Sequence, residues 1–468
     1  MSSLMRLPSS TRTTSWPAAG ADWTVALTTT RAVASRAVLR IRACGMAWRF
    51  PGALEPLSLA RAPRGQVSHR MGCARVRTAS IGENGMSDRR EFLGQLTALT
   101  AAAAAGVALP SLAMAAGPRT PAWPPYRDTV AIDGASGLML VYLEEGDPAI
   151  AGELRAARDC GLAATLLTVA PAGRFWLDDA AFERARANID KWNGLIERHP
   201  GHLAAIRSHD DLQRAHASGR VGMIFGFQGT EPLGEDIERI PMFRELGVRV
   251  IQLTHNRRNL VGDGCMEPGN AGLSNYGHQV VERLNAERIV VDLAHGSQRT
   301  IREGIAASKA PVLISHTGCR ALADLPRNTA DAELRAMAER GGVAGIIFWP
   351  YLRTDTQPMA IDVVRHIEHA IDVCGEDHVG IGTDTPIAPV ERTPEFERNN
   401  REFMRGMKED GIFAKDRPDD LYTFIPDLNS ADRFDTLAAL LSRRGHSDAR
   451  IGKILGGNFA RVMREVWG

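Results

Sequence analysis

The chain has 468 residues, of which 44% are hydrophobic, 24% charged and 6% aromatic, and its 56 Lys and Arg against 55 Asp and Glu leave a net charge of +1. That is ordinary globular composition, with length enough for one large α/β barrel and additions. Near-neutrality excludes a bulk electrostatic affinity for nucleic acid or a membrane surface.

The charge is unevenly spread along the chain. Residues 1–85 carry twelve Arg, no Lys and only three acids (Asp22, Glu55, Glu83), without hydrophobic periodicity. Ser87-Asp88-Arg89-Arg90-Glu91-Phe92-Leu93 then forms a twin-arginine signature. It leads into an Ala- and Gly-rich apolar run, Phe92 to Pro110, and a small-x-small pattern at Ala113-Met114-Ala115. Together these read as an export signal that is cleaved, with Met86 as the natural start. The run is short for a membrane span and poor in Leu, Ile and Phe, so cleavage is expected over anchoring. The expected organisation is therefore an over-extended, unstructured start over 1–85, a twin-arginine signal peptide over 86–115, and a folded periplasmic domain over 127–466. Residues 116–127 form a Pro-rich lead-in. Of six cysteines, Cys44 and Cys73 precede the cleavage point, while Cys160, Cys265, Cys319 and Cys374 follow it, widely scattered and without a CxxC pair. No metal knot or obligatory disulfide framework is expected, although the compartment permits a disulfide.

From Thr129 short apolar runs alternate with stretches of helical period. The runs are 129–133, 162–168, 221–227, 247–254, 288–293, 311–315, 342–348 and 378–383. Several are apolar at nearly every residue, as strands buried on both faces are. Helices are predicted over 149–160, 179–198, 237–246, 274–286, 297–307, 330–340 and 358–374 by the same periodicity. Eight β-then-α units predict a single (β/α)8 barrel, the TIM-type α/β fold. A doubly wound sheet would need a glycine fingerprint after its first strand, which Asp133-Gly134-Ala135-Ser136-Gly137 does not supply. The tail, from about 395, reads as extra C-terminal helices packed on the outside.

Barrels present their reactive groups at the C-terminal ends of the strands. Gln228 follows the third run, His255 the fourth, His295 the fifth, His316 the sixth and Asp384 the eighth. A lone His at a strand end is most often structural, but three His and an Asp past four different strands make a polar cluster at one mouth. Neutral imidazoles from neighbouring strands suit a divalent ion such as zinc, and a carboxylate beside it can move a proton.

Six blocks carry a resemblance: Thr254-His255-Asn256-x-x-Asn259, Asp292-Leu293-Ala294-His295, Ser315-His316-Thr317, Pro326-Arg327-Asn328, Gly380-Ile381-Gly382-Thr383-Asp384 and Gly456-Gly457-Asn458-Phe459. In this order they resemble the membrane (renal) dipeptidase family, a branch of the amidohydrolase-type barrels. Gly226-Phe227-Gln228-Gly229-Thr230 with Val261-Gly262-Asp263-Gly264-Cys265 is similar to a bacterial subgroup of it. The resemblance spans roughly 127–466. It implies a barrel hydrolase of dipeptides with two zinc ions, and a homodimer as the family's assembly. By position His295 and His316 resemble the ligands of the second ion and Asp384 the proton shuttle. His255 resembles the group that polarises the scissile carbonyl, and Arg327 the anchor of the substrate's carboxylate. Arg suits that last task because its planar fork binds a carboxylate through two parallel hydrogen bonds.

The departures are as specific. The family's H-x-D pair, which holds the first ion, is replaced by Ala135 and Gly137, and Gln228 stands where a glutamate bridges the two ions. A neutral amide oxygen is a poor bridge between dications. One zinc rather than two is therefore expected, on His295 and His316 with Gln228 as a weak third ligand. Asp133, Glu144, Glu145, Asp147 and Glu231 are the carboxylates close enough in sequence to stand in. Phe175, Trp176, Trp349 and Tyr351 are candidate pocket walls. Three functions follow: a one-zinc hydrolase of dipeptides or related small amides, an inactive dipeptide-binding protein on the same barrel, and a metal-independent or differently metallated hydrolase.

Overall fold

The computed structural model describes residues 122–170 and 180–468. The predicted start and signal peptide, and the aromatics Phe175 and Trp176, lie outside them.

Each apolar run becomes a strand: β1 (Ile132–Asp133), β2 (Ala164–Thr168), β3 (Val221–Phe227), β4 (Val248–Gln252), β5 (Val290–Asp292), β6 (Leu313–Thr317), β7 (Val343–Ile346) and β8 (Val379–Ile381). All ladders are parallel and the strands neighbour one another in chain order from β1 to β8. Every residue of β3 is buried, which is why this segment reads as a continuous apolar stretch rather than an alternating one. The seam between β8 and β1 is closed by the Gly134 N–H, which donates to the Ile381 carbonyl at 2.8 Å. Beyond it, Ser136–Gly137 pairs in parallel with Thr385–Pro386. The result is the expected barrel.

All seven predicted helices form, within two residues of their predicted ends. Ala180–Arg198 turns Ala181, Ala185, Ile189, Trp192 and Leu195 inward, three or four residues apart, and leaves its charges outside. Ser297 opens Gln298–Ala307 by accepting from the Thr300 N–H at its N-cap. A strand at Leu203–Ala205, paired to the edge of β3, and a helix at His209–Ala217 were not predicted. The strand is three residues long, and the helix buries only Leu212 and Ala215, so neither leaves a pattern.

The tail departs from expectation in one respect. Pro394–Glu409 and Arg433–Arg443 pack outside, but Asn458–Trp467 enters the barrel's N-terminal end. There Phe459, Val462, Met463 and Trp467 join Ile132, Leu166, Ile224, Val250, Val290, Leu313 and Val343, residues from seven strands, in one buried cluster. Phe459 explains two glycines: a Cβ on Gly134 would lie 2.8 Å, and one on Gly380 2.6 Å, from atoms of its ring. Among the described residues no helix is long and apolar enough to cross a membrane. The four described cysteines are buried and free.

Candidate active site

The strand ends bring His255, His295, His316, Arg327 and Asp384 to one mouth. His255 stacks on His295 with ring centroids 4.2 Å apart. His295 meets His316 edge to face at 4.9 Å, with their Nε2 atoms 2.9 Å apart. Arg327, in the loop after β6, donates from Nη2 to the His316 carbonyl at 2.8 Å. It is 4% exposed and forms no ion pair among the described residues, unlike the surface pairing usual for its type. Its guanidinium lies 5.8 Å from the Tyr351 ring, and Tyr351 stacks on Trp349 at 5.9 Å.

The partners of the two imidazoles fix their protons. Asn256 Oδ1, which can only accept, lies 2.7 Å from His295 Nδ1, so that nitrogen carries the hydrogen. Ser315 Oγ donates its one proton to Asp292 Oδ2 at 2.5 Å and therefore accepts from His316 Nδ1 at 2.8 Å. Each Nε2 then turns a lone pair toward the other. Two lone pairs at 2.9 Å repel unless a proton or a metal ion lies between them. Tetrahedral zinc, with bonds of about 2.0–2.1 Å, holds two nitrogens about 3.3 Å apart, a small parting from what is seen. This half of the mouth fits one divalent ion.

Among the described residues the other half brings fewer ligand atoms. Ala135 is buried and brings no donor. A Cβ on Gly137 would lie 2.6 Å from Leu167 Cδ1, so a carboxylate there has no room unless Leu167 moves. Among the described residues no three His, Cys, Asp or Glu side chains gather around one point. None of the carboxylates that could have stood in gathers with a second ligand at this point among the described residues. Asp133 accepts from the Ala135 and Thr383 N–H groups at 3.2 and 2.8 Å and from Thr383 Oγ1 at 2.6 Å, and burial pushes it up to about 7. Glu144 and Glu145 are exposed, and Asp147 caps the Ala149 N–H. Glu231 is buried near Asn259, with Oε2 unpartnered, and burial pushes it up to about 7. Gln228 ends β3, buried, its carbonyl accepting from Gln252 Nε2 at 2.9 Å.

His295 and Asp384 share a backbone feature: φ is +63° and +54°, the left-handed region that costs a non-glycine residue about 1–3 kcal/mol. Asp384 is held there by its N–H on the Ala135 carbonyl and by the Trp349 indole on its own carbonyl, both at 2.6 Å. His295 is held through its carbonyl, which accepts from the Cys265 N–H at 2.7 Å.

A family model described as membrane dipeptidase (peptidase family M19) matches residues 127–395. The chain belongs to the membrane dipeptidase family. Dipeptidase verJ of Clonostachys rogersoniana is 31% identical over 293 residues, which are 62% of this chain and 67% of the relative. An amidohydrolase from Pseudomonas aeruginosa superposes with a TM-score of 0.62 at 28% identity, covering 73% of this chain and 98% of that one. A metallopeptidase from Rhodobacter sphaeroides, solved with a phosphinate mimic of the dipeptide L-Ala-D-Ala, shares the fold with a TM-score of 0.59 at 20% identity, over 73% and 100% of the two chains. Members of the membrane dipeptidase family are metallopeptidases, hydrolases of small peptides, and this chain carries their barrel.

Sequence reasoning did not assign roles to Asn256, Ser315, Asp292, Thr383 or the Trp349 indole. A signal for three of them existed, and it extends to Asp133. Ser315 and Thr383 each precede a mouth residue directly, and Asp292 and Asp133 each lie two before an alanine, in Asp292-Leu293-Ala294 and Asp133-Gly134-Ala135.

Proposed function

We propose that this chain is a hydrolase of dipeptides or related small amides that works with one zinc ion, held by His295 and His316. The observation that carries the reading is the approach of the two Nε2 atoms to 2.9 Å, with the Nδ1 atoms facing Asn256 and Ser315. Gln228 is the candidate weak third ligand. When bound, the ion supplies Lewis acidity to water and to a carbonyl oxygen.

The remaining chemistry belongs to the chain. Arg327, buried and without a carboxylate partner among the described residues, holds the substrate's terminal carboxylate through its fork. His255, stacked on His295, donates to the scissile carbonyl oxygen as charge develops there. Asp384, pinned by Ala135 and Trp349, takes a proton from water and returns it to the leaving amine. Ala135 and Gly137, which carry no ligand atoms, support one ion over two. The twin-arginine signature over 86–115 supports export to the periplasm, which fractionation of cells making the full chain tests.

Metal analysis of the purified protein, run beside dipeptide hydrolysis, tests the reading. About one zinc per chain, with both zinc and turnover lost in His295→Ala, is the expected result. Protein without zinc and without turnover, yet binding dipeptides in an Arg327-dependent way, is a receptor and overturns it. Turnover that survives exhaustive chelation overturns it in favour of metal-independent chemistry.

A further inference from the structure

Arg417 lies in the segment after Pro394–Glu409, beyond residues 127–395 that match the family model. It is 4% exposed. Its Nη1 donates to the Pro350 carbonyl at 2.8 Å, while Nε and Nη2 are buried without any partner. No carboxylate pairs with it among the described residues. Asp355, one of the acids near enough to feel its charge, is exposed and bound to Arg353 by two hydrogen bonds. A guanidinium presents five donors, and a buried cation with most of them idle is a costly arrangement for a chain to keep. Arg327 shares the condition, its Nε also buried and unpartnered.

The two guanidinium groups flank one pair of rings. Arg327 lies 5.8 Å from the Tyr351 centroid, Phe413 lies 5.1 Å from it, and Arg417 stands 4.7 Å from the Phe413 centroid. The groups acting electrostatically on the Tyr351 hydroxyl are Arg327, Cys265, Asp384 and Arg417. The Cys265 thiol is pushed up to about 11 by burial and so is neutral. Among the described residues, Arg327 and Arg417 thus stand at either end of the Tyr351–Phe413 pair.

We propose that Arg417 forms a second anion subsite at the mouth, and that the substrate bears an anionic side chain on its C-terminal residue. Arg327 takes the terminal carboxylate and Arg417 the side chain's, with Tyr351 between them. A residue with two acidic groups would give each guanidinium a carboxylate partner. This rests on the hydrolase reading for the place of Arg327, and it assigns to the C-terminal extension a part in substrate choice.

The test compares Ala-Glu with its neutral isostere Ala-Gln, in L,L and L,D forms, on the zinc-loaded full chain. Binding is read by calorimetry and cleavage in parallel. Wild type should bind the Glu peptide about tenfold more tightly in at least one form, the scale of a charged hydrogen-bonded contact. In Arg417→Gln the Glu peptide should fall to the level of the Gln peptide, with the Gln peptide unchanged. Arg417→Lys, which keeps the charge and can still reach Pro350, should retain part of the preference and guards against a folding defect. Equal binding of the two peptides by wild type overturns the subsite, whether or not they are cleaved. An equal loss of both peptides in a folded Arg417→Gln also overturns it and makes Arg417 a strut. A Glu preference in binding without cleavage leaves the subsite standing and sinks the hydrolase reading. Binding of neither peptide sinks both.

Discussion

The two sides of the barrel mouth are built alike and furnished differently. On the β5–β6 side, Asp292 accepts from the Ala294 and Ser315 N–H groups and from Ser315 Oγ. On the β8–β1 side, Asp133 accepts from the Ala135 and Thr383 N–H groups and from Thr383 Oγ1. Each clamp ties a strand end to a hydroxyl residue that directly precedes a mouth side chain, His316 in one case and Asp384 in the other. Only the first clamp reaches an imidazole, through Ser315 to His316 Nδ1. On the other side Ala135 and Gly137 carry no ligand atoms. The second clamp therefore acts on the seam and on the setting of Asp384.

The sharpest way to break that comparison is to cut both clamps. Asp292→Ala should lower zinc affinity about 10–100-fold, because it releases the partner that orients a ligand, and should cost about 3 kcal/mol of stability through stranded donors. Asp133→Ala should cost similar stability in denaturant unfolding and leave zinc affinity unchanged in titration. An equal loss of metal in both variants would erase the distinction between the two sides.

Glu231, in the loop just after β3 and away from both clamps, is a buried carboxyl with an oxygen without a partner. Its value is raised from 4.5 to about 7 by burial. The protonated form is thus favoured in the fold. Its contribution is whole below the unfolded value and is lost as pH rises through about 7. Glu231→Gln should match wild type near pH 4 and gain up to about 3 kcal/mol by pH 8, the size of the linked shift. Unfolding curves at the two pH values check it, and a gain that is independent of pH counts against it.

Trp349→Phe removes the indole donor that holds the Asp384 carbonyl at 2.6 Å. It should cost about 1 kcal/mol in stability and lower kcat with KM little changed. The smallest expected effect is none. Ala135→His with Gly137→Asp, which rewrites the missing pair, should add no second zinc to the measured stoichiometry while Leu167 fills the space. Adding Leu167→Ala should let the second ion bind. A second ion in the double variant would show that the side is merely unfurnished rather than closed.

Much of the fold was legible because parallel strands buried on both faces spell themselves as apolar runs. The mouth was legible because a barrel puts chemistry one or two residues past each run, where His255, His295, His316 and Asp384 stand. What was hidden is non-local. Asp133 engages Thr383 across 250 positions, Leu167 occupies the space beside Gly137, and Arg417 reaches back to Pro350. Pairings of that kind depend on which strand ends meet, and spacing along the chain does not encode them. The last helix was misplaced for the same reason. Asn458–Trp467 is amphipathic, which says that one face is covered without saying by what.

That helix also bears on how the chain reaches its native state. The cluster it completes joins Phe459 to Ile132, more than three hundred positions earlier. Strands can collapse locally as they leave the ribosome, but the barrel's floor stays open until the final turn of helix arrives. Loop-closure entropy over so long a span makes the closing step slow. Without Phe459 the barrel would keep an open, apolar end. The corking of the barrel is thus a late and long-range step in its folding.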